Sequence, residues 1–235
     1  MPNDFFRFKK FIIRQERNVF RVGTDGVILG AYADVSNARH ILDIGSGTGL
    51  IALMLAQRCN AGIYALEPDS GSFRQLTENI ESSPWKSRIN PVNKRLQDYY
   101  PDLKFDIVVS NPPYFINSIR NPDPAKAKAR HSDILSQIDL IEGISRLLNE
   151  NGRFQIIMPV PEGKAFIVKA EGKGFYCNDI LHIKPSPAAD VKRLIMTFST
   201  MERDLSEKTL VIEDGVRRSF TEEYIELTKD FYLKF

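Results

Sequence analysis

The segment His40-Ile41-Leu42-Asp43-Ile44-Gly45-Ser46-Gly47-Thr48-Gly49-Leu50 constrains the fold more than any other part of the chain. A short apolar run of strand character passes directly into three alternating glycines. From Leu50 to Arg58, apolar residues recur at three- and four-residue spacing (Leu50, Leu53, Met54), which predicts a helix. Strand, glycine turn and helix open a βαβ unit. Glycine takes positive φ and has no Cβ, so backbone can approach a ligand, and the helix start offers unpaired N–H groups.

The same alternation continues. Ile63 to Leu66 reads as a second strand, and Asp69 can cap a following helix in which Phe73, Leu76 and Ile80 share a face. A weaker strand covers Ile89 to Asn93. Phe105 to Ser110 is the clearest central strand, and it stops abruptly at Asn111-Pro112-Pro113. After a polar, proline-spaced stretch (Ile116 to Arg130), Ile138, Ile141, Ile144 and Leu148 mark a helix that Gly152 can end as a left-handed cap. Further strands are expected at Arg153 to Val160, Asn178 to Ile183 and Leu194 to Ser199, with a helix near Gly163 to Lys173. The prediction is an α/β chain with seven mostly parallel strands and helices on both faces. Residues 1–22 read as a small N-terminal hairpin extension and 23–235 as the main domain. The last fifteen residues read as a helix, with Tyr224, Leu227, Phe231 and Phe235 on one side.

Composition narrows the function classes. The net charge of +2 over 235 residues does not announce a nucleic acid, so any such footprint must be local. Cys59 and Cys177 are far apart and read as core residues. His40, His131 and His182 are scattered, so neither a disulfide framework nor a metal site is expected. No apolar run approaches the ~20 residues of a membrane span, and the N-terminus lacks a signal-peptide pattern. A cytoplasmic chain is expected.

The glycine run is GxGxG rather than the GxGxxG of dinucleotide sites, and an acidic residue, Asp43, precedes it inside the strand. That variant favours an adenosine-plus-methionine ligand over a pyrophosphate, with Asp43, Gly45, Ser46, Gly47 and Gly49 as its cradle. Glu67 ends the second strand close to the ~20-residue spacing of a ribose-binding acid; the alternative is a turn start with Pro68. Asp98 can meet an adenine amine or simply solvate a loop.

Asn111-Pro112-Pro113-Tyr114 leaves the central strand towards the same crevice. Its residue types suit a planar amine, whose lone pair is delocalised into a ring. The Asn111 side-chain oxygen and the Pro112 carbonyl can accept both amine hydrogens and draw the nitrogen towards tetrahedral geometry. The prolines stiffen the turn, and Tyr114 can stack on a base for roughly 1–3 kcal/mol. A neutral amine needs no prior base, so catalysis would be alignment. The alternative is an ordinary turn after a strand.

With these motifs, the chain resembles the N-terminal-hairpin branch of the class I amino-methyltransferases, above all its bacterial tRNA members. The marks are Phe8-Lys9-Lys10-Phe11, Val22 to Gly30, Leu42 to Leu50, Asn111 to Phe115, Ala129-Arg130-His131 and Phe231 to Phe235. The resemblance implies a Rossmann-like sheet and an S-adenosylmethionine-dependent enzyme, with S-adenosylhomocysteine as product. It implies methylation of the N6 amine of an adenine in tRNA, at position 37 of a valine tRNA. It also places the Thr24-Asp25-Gly26 loop near the methionine part of the cofactor, although Asp25-Gly26 can be only a turn and helix cap. Similar signatures serve protein-glutamine and rRNA guanine methylation, which remain alternatives. The expected partner is tRNA, with no membrane and no obligate protein partner. Residues 1–22 hold six basic residues against two acidic, interleaved with aromatics, so Arg7, Lys9 and Lys10 are candidate RNA contacts. Arg130 and His131 are a second set, and Lys184, Lys192 and Arg193 a third; each can equally be a solvated surface.

Overall fold

The computed structural model describes residues 4–16, 21–113 and 135–235. The chain opens with strands β1 (Phe5–Arg7) and β2 (Ile12–Arg14), an antiparallel hairpin, followed by helix α1 (Thr24–Tyr32). Then come β3 (His40–Ile44), α2 (Leu50–Arg58), β4 (Gly62–Leu66), α3 (Ser70–Glu81) and β5 (Ile89–Val92). A 3-10 turn (Leu96–Asp98) leads to β6 (Phe105–Ser110). The remainder is α4 (Gln137–Leu147), β7 (Leu148–Pro159), α5 (Val160–Glu171), β8 (Tyr176–Lys184), β9 (Arg193–Ser199), β10 (Ser206–Val211) and α6 (Glu222–Thr228).

The main sheet runs β10-β8-β9-β7-β6-β3-β4-β5. Only β9 is antiparallel to its neighbours. Alternate side chains supply two cores. Ile41, Ile107 and Val109 join α1, α2 and α3 on one face, while Leu42, Val108 and Ile156 join α4 and α5 on the other. Burial on both faces explains why the central parts of these strands read as largely apolar. Phe154 of β7 anchors the second core, stacked on Phe198 at 4.7 Å and edge-on to Phe175 at 5.1 Å.

Four local expectations are corrected. The sheet has an eighth strand, β10, parallel to β8. Its first four residues, Ser206 to Thr209, are exposed, so this polar edge carries no apolar pattern. The helix before β7 ends at Leu147 rather than at Gly152. Leu148 already pairs with Phe105, and a register shift absorbs the extra residues. The C-terminal helix stops at Thr228. Phe231, Tyr232 and Phe235 follow it as a folded tail whose rings meet Tyr224 and the hairpin.

The fourth correction concerns Thr24-Asp25-Gly26, which is the first turn of α1 and not a loop. Gly26 and Gly30 lie one turn apart because α1 presses against α2. A Cβ at Gly26 would stand 3.0 Å from Leu50 Cδ2, and one at Gly30 2.9 Å from Met54 Cβ. Arg58 of α2 then donates to the carbonyls of Gly30 and Ala33, closing the far end of α1.

The hairpin shares the first core. Phe8, Phe11 and Ile13 are buried in it, and Phe8 stacks on Phe11 at 4.6 Å. Asn79 of α3 donates to the Arg14 and Thr48 carbonyls and accepts from the Arg14 N–H. No helix among the described residues is long and apolar enough to cross a membrane.

The helix contact generates a stability test. Gly30→Ala adds a methyl where Met54 Cβ already sits. Overpacking of this kind costs about 1–3 kcal/mol, offset in part by the ~1 kcal/mol that alanine gains in a helix. A net loss of up to about 2 kcal/mol is expected as a lower urea midpoint at unchanged slope. An unchanged or raised midpoint would show that α1 and α2 pack less closely.

Candidate active site

The register of two neighbouring strands creates the site. Ile44 of β3 lies beside Ser110 of β6, and the Ser110 hydroxyl donates to the Ile44 carbonyl at 2.9 Å. The next residues, Gly45 and Asn111, therefore leave the sheet side by side. From β3 the chain builds outwards to β4 and β5, then returns to place β6 and β7 on the other flank. Ligand crevices open at such reversals, beyond the carboxyl ends of the strands.

The glycine turn is bent as its sequence requires. Gly45, Gly47 and Gly49 have φ of 73°, 55° and 86°. The N–H groups of Gly45 and Ser46 donate to the Leu66 carbonyl at 2.9 and 3.0 Å, and the Ser46 hydroxyl donates to the Asp43 carbonyl at 2.9 Å. Cβ atoms at Gly45 and Gly47 would meet nothing within 4 Å, so their limit is the dihedral.

Two carboxylates lie beneath this turn. Glu67 is buried; its Oε2 accepts from the Gly47 N–H at 2.8 Å and its Oε1 from the Asp69 N–H at 2.9 Å. Burial pushes its carboxyl above the ordinary range, against the pull of those two N–H groups. Each oxygen keeps a lone pair for a further donor, which suits a pair of hydroxyls. Asp43 is wholly inaccessible, and neither of its oxygens has a hydrogen-bond partner among the described residues. Desolvation pushes its carboxyl up to about 7, with the Glu67 charge adding to the rise; the nearby Ser46 hydroxyl and Ala52 N–H, neither in a full hydrogen bond with the carboxylate, only partly oppose it. A buried carboxylate left without a full hydrogen bond favours positive charge nearby.

Not every expected residue converges here. Asp98 sits on the 3-10 turn beyond β5, half-exposed, its Oδ2 2.7 Å from Arg95 Nε, which lowers its carboxyl pKa. Asp25 pairs with Arg193, Oδ2 to Nε 2.8 Å. A Cβ on Gly26 would lie 3.8 Å from Asn111 Nδ2, so the first turn of α1, which holds Thr24 and Asp25, borders the same crevice. Pro112 is buried and Pro113 exposed. Arg7 and Lys10 are exposed, whereas Lys9 Nζ donates to the backbone oxygens of Lys229 and Phe235, both at 2.6 Å. In the third basic set, Lys184 donates to the Pro187 carbonyl. Tyr114, Arg130 and His131, with the stretch 116–130, lie outside the described residues. Asn79, which braces the Thr48 carbonyl, escaped sequence reasoning because nothing local marks a residue that acts across 31 positions.

Asp43 links site to stability. Its proton is held more tightly in the folded chain than in the unfolded one. The resulting penalty is nearly absent at pH 4, grows as pH rises, and is complete above about 7. Asp43→Asn should therefore stabilise the ligand-free chain by about 2–4 kcal/mol at pH 8 and hardly at all at pH 4. Urea melts at both pH values check this. An equal gain at both, or none at pH 8, would mean that Asp43 carries no buried charge.

Comparisons with known proteins agree with this geometry. The family described as "Methyltransferase small domain" matches residues 25–169. A tRNA1(Val) (adenine(37)-N6)-methyltransferase of Bacteroides fragilis is 43% identical over 237 residues, covering 100% of both chains. The protein of that name in Trichodesmium erythraeum is 45% identical over 240 residues, again with 100% of both covered. Among solved structures, a predicted O-methyltransferase from Agrobacterium tumefaciens superposes with a TM-score of 0.70 at 21% identity, covering 88% of this chain and 96% of that one. A methyltransferase from Pyrococcus furiosus gives 0.61 at 18% identity, over 82% and 90%. These two share the fold. The chain is a methyltransferase belonging to the methyltransferase small-domain family, related over its whole length to those adenine-N6 enzymes.

Proposed function

We propose that the crevice between β3 and β6 binds S-adenosylmethionine and that the enzyme methylates the N6 amine of an adenine in tRNA, adenosine 37 of a valine tRNA, in the cytoplasm. The observation that carries this reading is the Ile44–Ser110 register, which sets Asn111 beside the glycine turn. The full-length relatives named for that reaction support the acceptor.

The residues fit the cofactor. Asp43 would set a buried charge beneath the ammonium group, Glu67 would present two oxygens to the ribose hydroxyls, and the turn of Gly45, Ser46, Gly47 and Gly49 would let the ligand approach the backbone closely. Thr24 and Asp25 border the methionine portion. Asp98 would have to leave Arg95 to meet the adenine amine. The cofactor, when bound, supplies an electrophilic methyl. The chain does the rest by alignment: Asn111 Oδ1 and the Pro112 carbonyl accept the two amine hydrogens, Pro113 stiffens the turn, and Tyr114 stacks on the base. One of those protons leaves to water once the nitrogen carries positive charge.

RNA meets the outward face of the hairpin. Phe5 and Arg7 on β1 and Ile12 and Arg14 on β2 are all exposed there, with Phe5 opposite Arg14 and Arg7 opposite Ile12. Two guanidinium groups beside an exposed ring can contact phosphates and a base together. Lys10 adds a charge at the tip, and Arg130 and His131 are assigned to RNA contact by their sequence alone. Lys9, fastened to the C-terminal tail, is not part of it.

Two outcomes test the reading. Asn111→Ala should keep cofactor affinity within about threefold, whereas kcat on tRNA from cells lacking the protein falls by 10³ or more. Retained turnover would end the hydrogen-bond mechanism, and label appearing in protein rather than RNA would end the acceptor assignment. Arg7→Ala with Arg14→Ala should raise KM for tRNA several-fold at unchanged kcat and reduce the slope of log affinity against log salt by about 2. An unchanged slope would remove the hairpin from the RNA surface.

A further inference from the structure

We infer that Arg193 is a positioning residue for methyl transfer, acting through Asp25 to fix the first turn of α1 against Asn111. This rests on the reading of the crevice given above. Arg193 opens β9 opposite Pro159, the last residue of β7, and β7 is the neighbour of β6. It therefore stands at the same end of the sheet as Asn111, two strands away, roughly 10 Å at a spacing of 4.7–4.9 Å per strand. Its Nε reaches Asp25 Oδ2 at 2.8 Å, while Nη1 donates to the Lys192 carbonyl at 3.0 Å. Both partners are about two-thirds buried, with 32% and 27% of their side-chain surface exposed. The pair is thus drier than the surface ion pairs that contribute little.

The turn it holds has little local support. The N-cap of α1 is Gly23, which offers no side-chain hydrogen bond, and the first helical bond, Val27 N–H to the Gly23 carbonyl, is 3.2 Å. Position comes instead from tertiary contacts. On one side Gly26 abuts Leu50 and the Asn111 amide; on the other Asp25 is tied to Arg193. The turn spans the end of β7 between these two anchors. A reaction that depends on aligning a neutral amine is sensitive to such placement, because a shift of about 1 Å can lower the rate 10²-fold. Arginine suits the task, since its rigid fork divides between a carboxylate and a carbonyl.

The experiment is a double-mutant cycle on tRNA lacking the modification, with wild type and Asn111→Ala as controls. Arg193→Ala and Asp25→Ala should each lower kcat tenfold or more. KM for tRNA, cofactor affinity by calorimetry and thermal midpoint should change little for Arg193→Ala. The double variant should be no worse than the poorer single one, and Arg193→Lys should restore part of kcat. Multiplying losses, or a raised KM at unchanged kcat, would overturn the inference; the second would make Arg193 an RNA phosphate contact. A wild-type enzyme inactive on this tRNA would overturn the functional reading itself, which the controls reveal separately.

Discussion

The Ser110 hydroxyl bound to the Ile44 carbonyl is a small contact on which the site depends. It ties the carboxyl ends of β3 and β6 where the chain has reversed its direction of growth across the sheet. A glycine turn and a proline-stiffened turn leave that point together. Shifting either strand by one residue would exchange the two cores, since Ile107 and Val109 face one layer of helices and Val108 the other. The hydrophobic pattern of the strands therefore also sets the register of Gly45 against Asn111.

Beneath the turn the chain stores unfavourable electrostatics. Asp43 is fully buried with no hydrogen-bond partner among the described residues, and Glu67 is held by two backbone N–H groups while burial opposes its charge. Neither arrangement helps the ligand-free fold. In the proposed complex a cation and a pair of hydroxyls would offset both, so that the affinity of the crevice would be drawn from strain the apolar layers tolerate.

Strands buried on both faces were legible, because β3 and β6 are largely apolar and run into the Gly45 turn and the Asn111-Pro112-Pro113 turn. So was the place of Glu67, directly after the last residue of β4. What escaped was set by distant partners. The glycines of α1 look like turn residues until Leu50 and Met54 are seen packed against them. β10 shows no apolar alternation because its exposed side chains guard a sheet edge. Lys9 looks like a free cation in a basic stretch, but its ammonium is spent on oxygens more than two hundred residues away. Asp25 likewise reads as a cap until Arg193 is found beside it.

The clasp between hairpin and tail bears on how the chain is made. Phe8 and Lys9 are synthesised more than two hundred residues before Lys229, Tyr232 and Phe235, the residues they meet. Contacts of such long sequence separation form late. Until the tail leaves the ribosome, an aromatic-rich hairpin waits without its cover, exposed to the associations that incomplete chains undergo.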